Sequence, residues 1–200
     1  MWEYDRMLMY PVKIKNTNPE LAKYILCQYG GPDGELGASL RYLSQKYTMP
    51  TNEAKGLLND IGTEELAHLE MVGAIIYQLT RGMDVQMVKD SGFADYFMNH
   101  STGVYPANTN GTPFTAAYIA VSGDPLADLT EDMAAEQKAR ATYDNILRVS
   151  DDPDVNDVIK FLREREIVHF HRFGEIRNKV NEAITSKNKF FMGENPCMKK

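Results

Sequence analysis

Asp60-Ile61-Gly62-Thr63-Glu64-Glu65-Leu66-Ala67-His68-Leu69-Glu70-Met71 is the stretch on which the fold turns. Within it Glu65 and His68 stand three positions apart. On a helix they share one face, so a carboxylate oxygen and an imidazole nitrogen can reach the same ion. The pattern recurs as Glu166-Ile167-Val168-His169. Around the first copy, Ile61, Leu66, Leu69, Val72, Ile75, Ile76 and Leu79 keep the 3.6-residue period of an amphipathic helix. That helix opens at Thr51-Asn52-Glu53 and runs to about Thr80.

Outward from it, three further helices can be read. Asn18-Pro19-Glu20 gives a cap, a proline at the first helical position and an acid in the first turn. The helix runs to about Tyr29, is broken by Gly30-Gly31-Pro32-Asp33-Gly34, and resumes from Glu35 to about Tyr47. Asp124-Pro125 starts a third long helix to about Val149, and a fourth runs from about Asp154 to Ile184. Residues 82–124 read as a long crossover with a short helix near Gly92 to Asn99, a length that needs a topological reason. Residues 1–17 read as an extended arm and 185–200 as an irregular tail. The expected fold is all-α, a ferritin-like four-helix bundle over residues 18–184 with one long crossover connection.

The other two helices each offer one carboxylate, Glu35 and Glu136. Glu65 follows Glu35 by 30 residues, and Glu166 follows Glu136 by 30. Two antiparallel helix pairs related by a pseudo-twofold axis would bring all six groups together, the pattern of dinuclear carboxylate bundles. Burying four glutamates costs several kcal/mol per ion unless they are offset. Two divalent cations supply the matching charge. Taken alone, Glu64-Glu65 reads equally as a solvated charge step, and Arg163-Glu164-Arg165-Glu166 as an exposed charged face. His171 is off the His169 face by about 160°, and His100 belongs to the crossover.

Composition narrows the class. The 200 residues suit one domain. A net charge of -6 argues against nucleic acid and anionic membranes as partners. No apolar run approaches a membrane span. The first residues lack the pattern of a secretory signal, which points to the cytoplasm. Cys27 and Cys197 read as two free thiols or as a disulfide.

The chain resembles the manganese catalases, and within them the short spore-coat type, over roughly residues 18–180. The resemblance is carried by Gly30-Gly31-x-x-Gly34-Glu35, Tyr42-Leu43-Ser44-Gln45, the Asp60–Met71 run, Ser122-Gly123-Asp124-Pro125-Leu126-Ala127-Asp128 and Arg165-Glu166-x-x-His169. It implies two manganese ions per chain, with iron as the alternative, and hydrogen peroxide dismuted to water and dioxygen. By the resemblance Glu65 bridges the ions, Glu35 and His68 complete one, and Glu136 and His169 the other. Glu166 shuttles protons without ligating, and Tyr42 hydrogen-bonds near the site. It further implies a homo-oligomer, a hexamer in the family, with other spore-coat proteins as further partners. Two departures stand out. Ala135 precedes Glu136 where some members carry an arginine, and the long C-terminal extension of larger catalases is missing. They set the alternative of a structural coat protein with a weakly active or silent dimetal site. A di-iron ferritin-like oxidase, in which Glu166 would ligate directly, is the remaining reading.

Overall fold

The computed structural model describes residues 7–193, with side chains as far as residue 186. Four long helical segments make the bundle. The first is split into α1 (Pro19–Gly30) and α2 (Glu35–Gln45); α3 (Asn52–Thr80) is the second. The crossover holds α4 (Val85–Asp90) and α5 (Ala94–His100); α6 (Pro125–Val149) and α7 (Pro153–Gly193) are the third and fourth segments. Among the described residues the nearest thing to a strand is one isolated bridge, Ala107 with Pro113.

Caps set the starts. The Asn18 side chain accepts from the Leu21 N–H, Thr51 from Ala54, and Asp124 from both Leu126 and Ala127. Proline follows directly at Pro19 and Pro125. The α1–α2 break has a packing cause as well as a sequence one: a Cβ on Gly30 would overlap the Pro106–Ala107 backbone, so the crossover can pass directly over the break.

The first two helical segments run antiparallel. Asn18 N–H donates to Leu79 O (2.8 Å), while at the other end Lys46 Nζ reaches Asn59 Oδ1 (2.8 Å). α6 and α7 pair the same way, with Arg163 on Asp144 near one end and Arg177 on Thr130 near the other. The apolar interior falls into two clusters. One includes Leu26, Met71, Ile75, Tyr143 and Leu162, the other Tyr42, Ile61, Leu129, Phe173 and Ile176. Between Ile61 and Met71 on α3 lie Glu65 and His68; between Leu162 and Phe173 on α7 lie Glu166 and His169. Glu35 and Glu136 interrupt the apolar pattern of their helices in the same way. A charged layer is thus sandwiched between two greasy ones.

Expected boundaries for the long helices agree within a residue or two, the exception being the end of α7. The tail expected to be irregular from residue 185 is helical as far as Gly193. No proline or glycine lies between Ile184 and Gly193 to stop it; residues 194–200, with Cys197, lie outside the described residues. The crossover holds two short α-helices and a 3-10 turn, Ala116–Tyr118, where one helix was expected. Asp84 caps the extra one, α4, through Met87 N–H (2.8 Å).

The crossover is held down rather than loose. Its Tyr118 and Ala120 carbonyls accept from Arg41 Nη2 (3.1 Å) and Gln45 Nε2 (2.9 Å) on α2. At its end the Asp128 carboxylate accepts from the Ser122 N–H and hydroxyl and from the Gly123 N–H. While residues 1–6 of the expected arm lie outside the described residues, from residue 7 the segment before α1 carries no helix and is clasped by Gln78. That side chain accepts from Ile14 N–H (2.7 Å) and donates to Val12 O (2.9 Å).

Candidate metal centre

All seven residues singled out in the sequence meet in the charged layer. Glu35, Glu65, His68, Glu136, Glu166 and His169 are each at most 2% exposed. Their ligand atoms form two overlapping quartets, Glu35-Glu65-His68-Glu166 and Glu65-Glu136-Glu166-His169, each within 4.8 Å. Glu65 and Glu166 belong to both. The two oxygens of Glu65 face different histidines, Oε2 lying 2.7 Å from His68 Nδ1 and Oε1 2.8 Å from His169 Nδ1. Glu35 Oε2 is 3.7 Å from His68 Nδ1, and Glu136 Oε2 is 3.5 Å from His169 Nδ1.

Tyr42 donates to Glu136 Oε1 (2.5 Å), and Tyr143 donates to Glu35 Oε1. The arrangement is reciprocal: each tyrosine holds the carboxylate of the other half. Tyr143 was not singled out in the sequence, yet its signal is there. Glu35, Tyr42, Glu65 and His68 match Glu136, Tyr143, Glu166 and His169 at a constant offset of 101 positions.

Glu64 was the second miss. Read alone it was a solvated charge; in the fold its side chain is 14% exposed and closes the far side of both histidines. Its oxygens lie 3.6 Å from His68 Nε2 and 3.1 Å from His169 Nε2. Arg165, read as part of an exposed face, clamps it with Nε and Nη2 at 2.6 and 3.2 Å. An imidazole held by a carboxylate on one nitrogen is oriented to offer the other to a metal. Here that leaves both Nδ1 atoms facing Glu65.

The electrostatics are those of a cluster short of positive charge. Burial, and then the Glu65 charge, push Glu35 up to about 7. Burial, followed by the charges of Glu136, Glu65 and Glu35, raises Glu166 well above the usual carboxylate range. Burial also works against charge on Glu65, but the imidazolium charges of His169 and His68 override it and hold it low. At His169 burial opposes the proton, yet Glu65, Glu136 and Glu64 push it to about 12. Protons therefore gather on both histidines where no other cation balances the glutamates.

The donor set suits a pair of divalent cations. Glu65 Oε1, Glu136 Oε2, Glu166 Oε1 and both ring nitrogens of His169 are buried without a hydrogen-bond partner. Such orphans are rare unless something else satisfies them. Carboxylate and imidazole ligands fit manganese and iron alike.

The family model for manganese containing catalase matches residues 1–189. Protein CotJC of Bacillus subtilis is 52% identical over 95% of this chain and all of its own length. A probable manganese catalase of Clostridium acetobutylicum is 35% identical, over 94% of this chain and 84% of its own. Among solved structures, KatB, a manganese catalase from Anabaena, superposes with a TM-score of 0.83 at 32% identity. That match covers 90% of this chain and 81% of KatB.

Proposed function

This chain belongs to the manganese-containing catalase family, and from that premise we propose that it dismutes hydrogen peroxide to water and dioxygen at two manganese ions, as a component of a spore coat. The observation that carries the reading is the pair of buried quartets sharing Glu65 and Glu166. Glu35 and His68 would hold one ion, Glu136 and His169 the other, with Glu65 between them. When bound, manganese supplies Lewis acidity and two-electron exchange with peroxide.

The chain's own residues do the rest. Glu166 is buried, with Oε1 unpartnered, and lies 3.8 Å from His68 Nδ1. In the role proposed for it, Glu166 takes a proton from one peroxide oxygen and returns it to another. Tyr42 and Tyr143 occupy one oxygen each of Glu136 and Glu35, leaving the other oxygen free to ligate. Glu64 and Arg165 fix the two rings. A small cavity bordered by Glu35, Glu136, Glu166 and Tyr42, about 10 Å³, admits little more than one water-sized molecule.

The partners proposed are hydrogen peroxide as substrate, further copies of the chain in a homo-oligomer, and neighbouring coat proteins. A second reading is a structural coat protein with a silent site. The 52% identity to Protein CotJC and the small Ala135 in the cavity wall favour it. The deciding experiment is dioxygen release from peroxide by manganese-loaded protein, with metal content measured on the same sample. Two manganese per chain with vigorous release supports catalase; two manganese without release moves the reading to a coat protein.

A further inference from the structure

The segment before α1 turns every second residue inward. Leu8 and Tyr10 are half-buried and Val12 and Ile14 buried, whereas Met7, Met9, Pro11, Lys13 and Lys15 are exposed. That is the period of an extended chain with one face on the protein. In the sequence the inward set continues back through Arg6, its polar member, to Tyr4 and Trp2, and the outward set through Asp5 and Glu3. The direction is set as well. Lys15 meets Asp154, while Tyr10 donates to Asp157 Oδ2 (2.9 Å) and stacks on Phe161 with centroids 4.5 Å apart. Followed back toward Met7, the arm therefore climbs α7 from its N-terminal end. Asp157, Phe161, Val168, Arg172 and Glu175 stand three, four or seven apart, which makes them one stripe of α7. Farther along that stripe a groove of about 330 Å³ opens between α3 and α7, a volume at the low end of small-molecule pockets. Leu57 and Ile176 line it, and the ion pairs Asp60–Arg172 and Glu53–Lys179 border it. Phe161 to Ile176 is about 22 Å of helix. The eight residues from Tyr10 back to Trp2 can span about 26 Å.

We propose that this groove is the docking site of the chain's own first residues, with the Trp2 indole seated against Leu57 and Ile176. An indole there buries its apolar body and offers its face to Arg172. A guanidinium can stack on a ring while it keeps a carboxylate partner such as Asp60. Gly56 leaves the room, since a Cβ at that position meets nothing within 4 Å. A second copy of the chain is the competing occupant. It is disfavoured because the arm already lies on this seam and points along it, so a copy has to displace a segment that needs no encounter to arrive.

Trp2 is the chain's single tryptophan, so the emission of the full-length protein reports this one side chain. In the folded protein it is expected to be blue-shifted from that of the denatured chain, with acrylamide quenching severalfold weaker. Gly56→Gln puts a side chain into the groove from an exposed position where the added atoms meet open space, and circular dichroism checks that the helices are intact. Its quenching is expected to approach that of the denatured chain. Unprotected Trp2 in the unaltered folded protein overturns the proposal. So does protection that Gly56→Gln leaves unchanged, because Trp2 is then covered elsewhere. Photoreactive benzoylphenylalanine placed at position 2 identifies whose groove is filled. Adducts at the mass of one chain that map to residues 53–60 or 172–179 support the proposal. Adducts to the same residues only at the mass of two chains give the groove to a second copy and overturn it, as do adducts elsewhere or none.

Discussion

Glu64→Ala separates a residue that serves the centre from one that merely pairs with Arg165. Its loss frees Nε2 of both histidines, and removing such a carboxylate partner costs 10- to 100-fold in metal affinity, roughly 1.4 to 2.7 kcal/mol per ion. The effect should be unequal. The Glu64 oxygens stand 3.1 Å from His169 Nε2 and 3.6 Å from His68 Nε2, so the charge attraction is greater at His169. The ion on His169 should therefore sit near the upper figure and the ion on His68 near the lower. Arg165 also loses two charged hydrogen bonds while half-buried, a cost of about 1–2 kcal/mol. At about 2–4 °C per kcal/mol for a chain of this size, the metal-free melting temperature should fall by roughly 2–8 °C. Stepwise manganese titration against a chelator gives the two dissociation constants, and calorimetry gives the melting temperature. If both constants stay within about twofold of the unaltered protein while the melting temperature drops, the reasoning fails: Glu64 would then anchor Arg165 and nothing more.

Six other perturbations address the same architecture. Glu65→Ala should abolish paired metal binding, whereas Glu166→Gln should keep both metals and lose turnover; metal loss in the Gln variant, measured by elemental analysis, would contradict a proton-shuttling role. Stripping the metals should lower the melting temperature because four buried carboxylates lose their counter-charge, and an unchanged scan would count against a buried dinuclear site. Tyr143→Phe leaves Glu35 Oε1 without its donor, so the ion on Glu35 and His68 should weaken while the one on Glu136 and His169 holds; Tyr42→Phe should do the reverse, both read from site-resolved manganese spectra. Gly30→Ala drives a methyl group into the Pro106–Ala107 backbone, and a loss of about 1–3 kcal/mol in denaturant unfolding is expected for such overpacking.

The long helices and the six glutamates and histidines of the charged layer were legible because each signal is local. Periodicity, caps and Glu-x-x-His spacing all lie within one helix, and the 30-residue repeat fixes which helices face one another. Glu64 was not legible. It lies one residue, about 100°, from Glu65 on the helix. Its role depends on two imidazoles meeting from different helices, which no pattern along α3 encodes. Tyr143 could have been found by carrying the repeat of Glu35 and Glu136 seven residues further. The end of α7 was missed because Gly193, Pro196 and the lysines of the tail were read as marking the whole stretch from residue 185 as irregular, although nothing between Ile184 and Gly193 breaks a helix.

The reciprocal tyrosines also bear on how such a chain could arise. A single hairpin carrying Glu35, Tyr42, Glu65 and His68 has its own tyrosine turned toward a carboxylate it does not possess. Two identical hairpins docked face to face would complete each other, and a 101-residue periodicity is what tandem duplication of such a unit leaves behind. The crossover then has a measurable physical meaning. It turns the meeting of two bodies into an internal event at an effective concentration on the order of millimolar. Once docking no longer depends on encounter, the copies are free to diverge, as Glu64 and Arg165, at equivalent positions, have done by becoming each other's partner.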